Sequence, residues 1–197
     1  HTRQYDVAKY LVKKGWDVEV FASDFNLSER SYTKLKNFQT AKTQILDGIK
    51  WHWLWVTPYK KNDWKRYLNL LSFCIHLGLR IFKLKIFFPN FISKFTKPDI
   101  ILASSPQLPA AFICLLFSKI IKRPFIFEVR DLWPQVLIDQ SNCNKNSFLI
   151  KVLDRIQRIL YKKSDHVVVL ANGCIEYVKR KGAKNVTFLP NGPDLKI

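Results

Sequence analysis

Charged side chains follow a strongly apolar segment in the second half of this 197-residue chain. Residues 125–127 read Phe-Ile-Phe, and they are followed by Glu128, Arg130 and Asp131. Ionised groups are costly to place beside a core unless they pair with one another or face a ligand. The pattern therefore indicates either a charged functional cluster or a structural ion pair between Arg130 and one of the two carboxylates.

Small and polar residues follow three further short apolar segments. They are Ser104, Ser105, Asn172, Asn191 and Gly192. If the apolar segments are parallel strands, their carboxyl ends meet at one edge of the sheet. We therefore expect these residues to lie along the same edge as Arg130.

The second half of the chain has the alternation that such a sheet needs. Strands are predicted over 99–103, 124–129, 166–170 and 186–189, and helices over 106–121, 147–163 and 173–181. Ser147 is the expected cap of the second of these helices. The alternation predicts an α/β fold with a parallel sheet and helices on both faces.

The N-terminal part predicts a helix followed by a strand. Helical spacing over residues 2–14 ends at Gly15, and an alternating strand pattern follows over residues 17–22. Residues 27–43 are polar and rich in lysine without periodicity, which predicts a loop.

A β-hairpin is predicted around Asp47 and Gly48, a pair that suits a turn with two positive φ angles. Its arms cover residues 44–46 and 49–56, and the second arm carries Trp51, Trp53 and Trp55 on one face. These tryptophans indicate either a packed sheet face or a platform for sugar rings.

Residues 60–97 contain nine lysines and arginines against one aspartate. A long helical pattern over residues 62–88 interleaves these cations with aromatic side chains. The composition is that of a helix at an anionic membrane surface, or of a core helix with a solvated basic face. The candidate membrane-surface residues are Lys65, Arg66, Arg80, Lys83 and Lys85.

Composition excludes several classes of protein. Lys and Arg number 33 against 15 Asp and Glu, a net charge of +18, yet 48% hydrophobic residues are enough for a core. The six glycines never fall at the spacing of a dinucleotide fingerprint. The four cysteines and four histidines lack zinc-ligand spacing, so no metal site is expected, and Cys74 and Cys114 are predicted to be buried thiols.

The sequence resembles the N-terminal domain of family 4 retaining glycosyltransferases. The resemblance rests on the run Glu-Val-Arg-Asp-Leu-Trp-Pro at 128–134, on residues 3–23 and 160–165, and on Pro-Asn-Gly at 190–192. It extends to the bacterial branch that builds lipopolysaccharide O-antigen, colanic acid and capsule, including enzymes of the L-fucosamine transferase type.

The resemblance implies one half of a GT-B fold, in which two Rossmann-like domains enclose the active site. Residues 1–190 would be the N-terminal acceptor-side domain with a β-hairpin insertion, and residues 191–197 would begin the linker to a donor-binding domain. The first strand of the family's sheet would lie before residue 1. The chain alone is therefore expected to be inactive.

The resemblance also implies the chemistry. The donor would be a nucleotide sugar, with no cofactor and no metal, and the departing diphosphate would take the acceptor's proton. Arg130 stands where many relatives have a histidine that contacts the donor sugar, so Arg130 and Asp131 are the candidate catalytic residues. The implied substrate-binding residues are Ser104, Ser105, Glu128, Trp133, Asn172, Asn191 and Gly192.

The implied acceptor is a saccharide linked to undecaprenyl diphosphate, which places the protein in the cytoplasm, peripheral on the inner face of the plasma membrane. The alternative from another class is a noncatalytic α/β module that binds nucleic acid or another polyanion. We expect no nucleic-acid partner, because no such motif is present and the cations are interleaved with large apolar side chains.

Overall fold

The computed structural model describes residues 3–26, 28–29, 31–36, 39–59, 64–82, 97–141 and 145–192. The chain forms two compact units, His1–Phe95 and Thr96–Ile197.

The described part of the first unit contains two helices and five strands. In chain order they are α1 (Arg3–Lys13), β1 (Glu19–Ser23), β2 (Phe25–Asn26), β3 (Ser31–Tyr32), β4 (Ala41–Leu46), β5 (Ile49–Leu54) and α2 (Trp64–Ile81). Strand β5 lies at the centre of a three-stranded sheet, parallel to β1 and antiparallel to β4. The short strands β2 and β3 pair separately.

Helix α1 covers one face of the three-stranded sheet. Ala8 on the helix forms a buried cluster with Ile49 and Trp51 of β5, and Trp53 packs against the edge of that cluster. The rings of Trp51 and Trp53 stack with their centroids 5.1 Å apart. The prediction of a packed tryptophan face is confirmed for these two residues, whereas Trp55 lies beyond the end of β5.

The predicted hairpin turn is confirmed. Asp47 and Gly48 both have positive φ angles, 51° and 75°. A Cβ atom at Gly48 would approach Cγ1 of Val12 to 2.8 Å, so the turn also needs a residue without a side chain where α1 passes it.

Two boundaries in the first unit differ from the predictions. The predicted loop over 27–43 was wrong in part, because it contains β3 and the first residues of β4. Strand β4 is an edge strand whose register is imposed by the hairpin, so its sequence lacks a strong apolar alternation. The described part of the predicted 62–88 helix is Trp64–Ile81, and residues 83–88 lie outside the described residues.

The second unit alternates strands and helices as predicted. Its elements are β6 (Ile101–Ser104), α3 (Leu108–Ile121), β7 (Phe125–Val129), α4 (Gln135–Ser141), α5 (Phe148–Lys163), β8 (His166–Val169), α6 (Cys174–Arg180) and β9 (Val186–Phe188). The strands pair in the order β6-β7-β8-β9, all parallel, and helices flank this sheet. Helix α4 is an addition that the sequence did not predict.

One face of the parallel sheet carries the core of the second unit. Phe125, Phe127 and Val129 alternate along β7, and Val167 and Val169 lie on the same face of β8. Buried side chains of α3, α5 and α6 complete this cluster. The predicted cap is confirmed, because Ser147 Oγ accepts a hydrogen bond from Ile150 N at 3.3 Å.

The cysteines in the described residues are free thiols at positions 74, 114 and 174. Burial raises the pKa of Cys74 to about 11, so this thiol stays protonated at neutral pH. Cys114 is half-buried, and Cys143 lies outside the described residues. None of the described helices is long and apolar enough to span a bilayer.

Candidate functional site

The carboxyl ends of the parallel strands in the second unit bring the predicted site residues to one edge. Strand β6 ends at Ser104, which pairs in register with Glu128 of β7. The loop after β7 carries Arg130 and Asp131, and Ser105 lies beneath that loop. The sheet thus places five predicted residues side by side.

Glu128 is held at this edge by its neighbour. It is a buried carboxylate, and its Oε2 accepts a hydrogen bond of 2.6 Å from Ser104 Oγ. A hydroxyl that donates to a carboxylate at this distance makes a charge-assisted bond, which is stronger than a neutral one. The pair therefore fixes the position of Glu128 at the end of β7.

Ser105 organises the backbone of the loop that follows β7. Its side chain is 1% exposed, and its Oγ accepts hydrogen bonds from Arg130 N at 2.9 Å and Asp131 N at 3.1 Å. The same hydroxyl lies 3.3 Å from Asp131 O, and Ser105 N donates to Glu128 O at 2.9 Å. The buried hydroxyl of Ser105, a residue predicted to bind substrate, therefore hydrogen-bonds to the backbone of the loop after β7.

Arg130 and Asp131 are exposed to solvent. Within the described residues, no ion pair joins Arg130 to Glu128 or to Asp131, because Glu128 is bonded to Ser104 and Asp131 contributes its backbone to the loop. The hydrogen bond to Ser105 fixes the backbone of Arg130 at the sheet edge. From there its guanidinium can bind an anionic group such as a phosphate through two parallel hydrogen bonds.

Trp133 lies between the site and the core. It is half-buried and packs against the apolar cluster that contains Phe127, and its backbone N–H donates to Asp131 O at 3.0 Å. The peptide bond to Pro134 is cis, as is the bond between Ser105 and Pro106. Trp133 therefore contributes packing under the loop as well as any contact with a ligand.

The remaining predicted residues follow β8 and β9 on the same edge. Asn172 is exposed, and its carbonyl oxygen accepts a hydrogen bond from Ile175 N at 3.1 Å at the start of α6. Asn191 and Gly192 are exposed beyond the end of β9.

The predicted membrane-surface residues divide into three groups. Lys65 and Arg66 are exposed on the first turn of α2. Arg80, on the last turn, is half-buried, and burial lowers its pKa. Lys83 and Lys85 lie outside the described residues.

Asp24 is a buried carboxylate whose part in the fold the sequence did not reveal. It follows β1 and accepts hydrogen bonds from Thr33 Oγ1 at 3.0 Å, Lys34 N at 2.8 Å and Leu35 N at 2.6 Å. These bonds hold the loop that follows β3. The only signal in the sequence is an aspartate directly after a strand.

A second buried polar cluster surrounds His52 in the first unit. Glu19 Oε2 lies 2.9 Å from His52 Nε2, and Glu19 Oε1 accepts from Lys50 Nζ at 2.7 Å. His52 Nδ1 contacts Thr43 Oγ1 at 2.9 Å, and the ring stacks on Phe21. Burial lowers the pKa of His52 despite Glu19. Among the described residues, the hydrogen bonds and the ring contact of His52 are all with side chains of its own sheet, so the ring has a structural part in the first unit.

The pKa of Glu19 is lowered in the same cluster. Burial opposes its ionisation, but hydrogen bonds from Lys50 and His52 outweigh burial. Across the part of the chain that the structure describes, no group of three or more His, Cys, Asp or Glu could hold a metal ion.

The family model described as a glycosyl transferase 4-like domain matches residues 1–192. The matched span includes both serines, the loop after β7 and the residues beyond β8 and β9. No curated protein matches the chain.

Proposed function

We propose a function that starts from the family to which the chain belongs, the glycosyl transferase 4-like domains. Its parallel sheet is the Rossmann-like half of a GT-B fold. The proposed activity is transfer of a sugar from a nucleotide-sugar donor to a lipid-linked saccharide, with retention of configuration. The observation that carries the proposal is the loop after β7. This loop presents an exposed arginine at the carboxyl edge of the sheet, where open α/β sheets bind ligands.

The proposed step needs no carboxylate pair from this chain. The bond between the anomeric carbon and the donor diphosphate oxygen breaks, and the acceptor hydroxyl oxygen bonds to that carbon on the same face. The hydroxyl proton passes to the departing diphosphate oxygen. Negative charge grows on the diphosphate during this step, and Arg130 would stabilise it electrostatically.

The other predicted residues take supporting parts in this proposal. Glu128, held by Ser104, would face a sugar hydroxyl at the strand end. Asp131 would orient the acceptor, and Asn172, Asn191 and Gly192 would line the same edge. Trp133 offers part of its ring to a sugar face.

We further propose that the acceptor is a saccharide on undecaprenyl diphosphate. The product would enter a bacterial surface polysaccharide such as O-antigen, colanic acid or capsule, and the enzyme would be of the amino-sugar transferase type. The protein would then work at the cytoplasmic face of the plasma membrane. Exposed cations such as Lys65 and Arg66 support attraction to an anionic leaflet.

The test is a transfer assay with the intact protein, a panel of nucleotide sugars and a polyprenyl-diphosphate saccharide. We expect one donor to support transfer, and we expect nuclear magnetic resonance of the product to show the anomeric configuration of that donor. Inverted configuration would contradict the proposed mechanism. Hydrolysis of the donor without transfer to the polyprenyl-diphosphate saccharide would contradict the proposed acceptor class.

A further inference from the structure

The second unit has a groove between α3, the end of α5 and the loop before β9. Its volume is about 730 Å³, which is within the roughly 300–1,000 Å³ of pockets that hold small molecules. None of the residues predicted to take part in sugar transfer lines it. We call it the lysine groove, because four of the side chains that line it are Lys119, Lys162, Lys163 and Lys184.

The lysine groove and the residues predicted for transfer lie at opposite edges of the parallel sheet. Asp165 stands directly before β8 and Asn185 directly before β9, so the groove is at the amino ends of these strands. Arg130 follows the carboxyl end of β7. Strand β8 has four residues, which extend over about 13 Å. A ligand in the groove would therefore not compete for the carboxyl edge of the sheet.

The floor of the groove is apolar and firmly held. Leu115 is buried in the core cluster of the second unit, and Phe112 and Ile159 are half-buried and pack against that cluster. Leu116 is 44% exposed beside them. A ring that covered these side chains would remove apolar surface from water, which favours binding.

Three of the four lysines have no counter-charge in the described residues. Lys119 Nζ lies 3.2 Å from Asp165 Oδ2, and this oxygen also accepts a hydrogen bond from Phe125 N at 2.9 Å. Within the same part of the chain, Lys162, Lys163 and Lys184 form neither an ion pair nor a side-chain hydrogen bond. Like charges around one groove repel one another, and a bound anion would relieve that repulsion.

Helix stability explains only some of these lysines. Lys119 stands on the last turn of α3, and Lys162 and Lys163 stand on the last turn of α5, where the helix dipole favours cations. Lys184 is exposed in the loop before β9 and belongs to no helix. Its charge therefore has no explanation in local structure, and it is added to a groove that is already cationic.

The combination of floor and charge indicates the class of ligand. A small inorganic anion would use the lysines and leave the apolar floor in water, whereas an uncharged ring would leave the lysines unused. We propose that the lysine groove binds an organic anion, a small molecule that carries a phosphate or carboxylate group on an apolar ring. The ring would cover Phe112 and Leu116, and the anionic group would accept charge-assisted hydrogen bonds from Lys162 and Lys184.

The experiment titrates the intact protein with anilinonaphthalene sulfonate at low salt. The fluorescence of this probe rises when its rings leave water, and its sulfonate takes the place of the natural anionic group. We expect the double variant Lys162→Gln, Lys184→Gln to bind the probe about tenfold more weakly, because two charged donors are lost. Leu116→Ser should weaken binding about fivefold, because the floor loses apolar area.

Matched controls make the same changes outside the groove. Lys42 on β4 and Lys151 on the first turn of α5 are exposed, so Lys42→Gln, Lys151→Gln changes the net charge equally. Leu149 is 43% exposed on α5, so Leu149→Ser matches Leu116→Ser. We expect both controls to bind the probe as the wild type does. Melting temperatures close to that of the wild type show that all variants are folded.

Competition tests whether the ligand needs a ring. Phenyl phosphate should displace the probe at a concentration at least about fivefold lower than inorganic phosphate, because only phenyl phosphate can cover the apolar floor. Equal displacement by the two phosphates would overturn the assignment to an organic anion.

Wild-type binding by the groove variants would overturn the proposal, because the probe would then bind elsewhere. Equal losses in groove variants and controls would also overturn it, since the effect would not be specific to the groove. Binding is measured without donor or acceptor, so failure here leaves the proposed sugar transfer untouched.

Discussion

Arg130 combines exposure with a backbone that is tied down. Its N–H donates to Ser105 Oγ, and in the described residues no carboxylate pairs with its guanidinium. We expect Arg130→Ala in the intact protein to lower turnover by about two to three powers of ten, as loss of one preorganised charge partner commonly does. The fold should be preserved, because no ion pair is broken.

Turnover and melting temperature have to be measured on the same Arg130→Ala samples. The matched control is Arg155→Ala, an exposed arginine on α5 far from the strand ends in sequence, and it should leave turnover unchanged. A lowered melting temperature with full turnover per folded molecule would show that Arg130 is a structural residue. If neither turnover nor melting temperature changes, Arg130 contributes to neither function nor stability.

Ser105→Ala tests whether the loop needs its buried hydroxyl. The change leaves two backbone N–H groups without their acceptor, which costs about 1–3 kcal/mol for each buried unsatisfied group. Arg130 would then be less well placed, and we expect turnover per folded molecule to fall by about ten- to a hundredfold.

Ser118→Ala is the control for Ser105→Ala. Ser118 is also fully buried, and its hydroxyl donates to Leu115 O within α3. This variant removes a buried hydroxyl without touching the site, so melting temperature should fall while turnover per folded molecule is kept. Equal loss of turnover in both variants would mean that general destabilisation explains the effect.

The types of residue at the site were predictable, but their hydrogen bonds were not. Charges after an apolar strand marked the loop after β7, because burying ions is costly wherever they occur. The sequence pattern gives Ser104 and Ser105 the same predicted part, substrate binding. Only the register of β6 on β7 separates them, since it sets Ser104 opposite Glu128 and turns Ser105 under the loop.

At the scale of elements, the turn between β4 and β5 depends on Gly48. Its φ of 75° costs an L-residue about 1–2 kcal/mol, and a Cβ there would collide with Val12. We therefore expect Gly48→Ala to lower the free energy of unfolding by at least that amount, measured by urea denaturation. Gly173→Ala is the control, because its φ is −61° and a Cβ there meets nothing within 4 Å.

Strong local signals predicted most elements of the second unit. Short apolar strands such as β7, in which four of five residues are buried, and capped helices such as α5 have patterns that need no tertiary information. Strand β4 and helix α4 lack such patterns. The first is formed because a hairpin partner imposes its register, and the second is a short helix that begins after Pro134.

At the scale of the whole molecule, buried His52 and half-buried His76 of the first unit both make the folded protein less stable in acid. Burial lowers the pKa of His52 and of His76 below the usual 6.5. Below that pH the unfolded chain binds protons that the folded histidines do not. The stability that their neutral forms contribute is therefore lost as pH falls from 6.5 towards their folded pKa values.

Three carboxylates act in the same direction at lower pH. Although burial opposes ionisation of Glu19, Asp154 and Asp165, their hydrogen bonds to basic groups or backbone N–H groups lower the pKa of each. Their contribution is complete above the unfolded values of 4.5 and 3.8, and it is lost as pH falls through the folded values. These groups lie in both units of the chain.

Acid should therefore destabilise the protein steadily, and salt should oppose the effect. A net charge of +18 at pH 7 becomes larger as the histidines of the unfolded chain and then the carboxylates bind protons, and self-repulsion between these charges is screened by salt. We expect the urea midpoint to fall between about pH 7.5 and 5.5, less steeply at high salt, and His52→Gln to flatten the remaining slope. A slope that His52→Gln leaves unchanged would mean that His52 has the same pKa in the folded and the unfolded chain, and a steeper slope would mean that His52 is charged in the folded protein, as an ion pair with Glu19 would require.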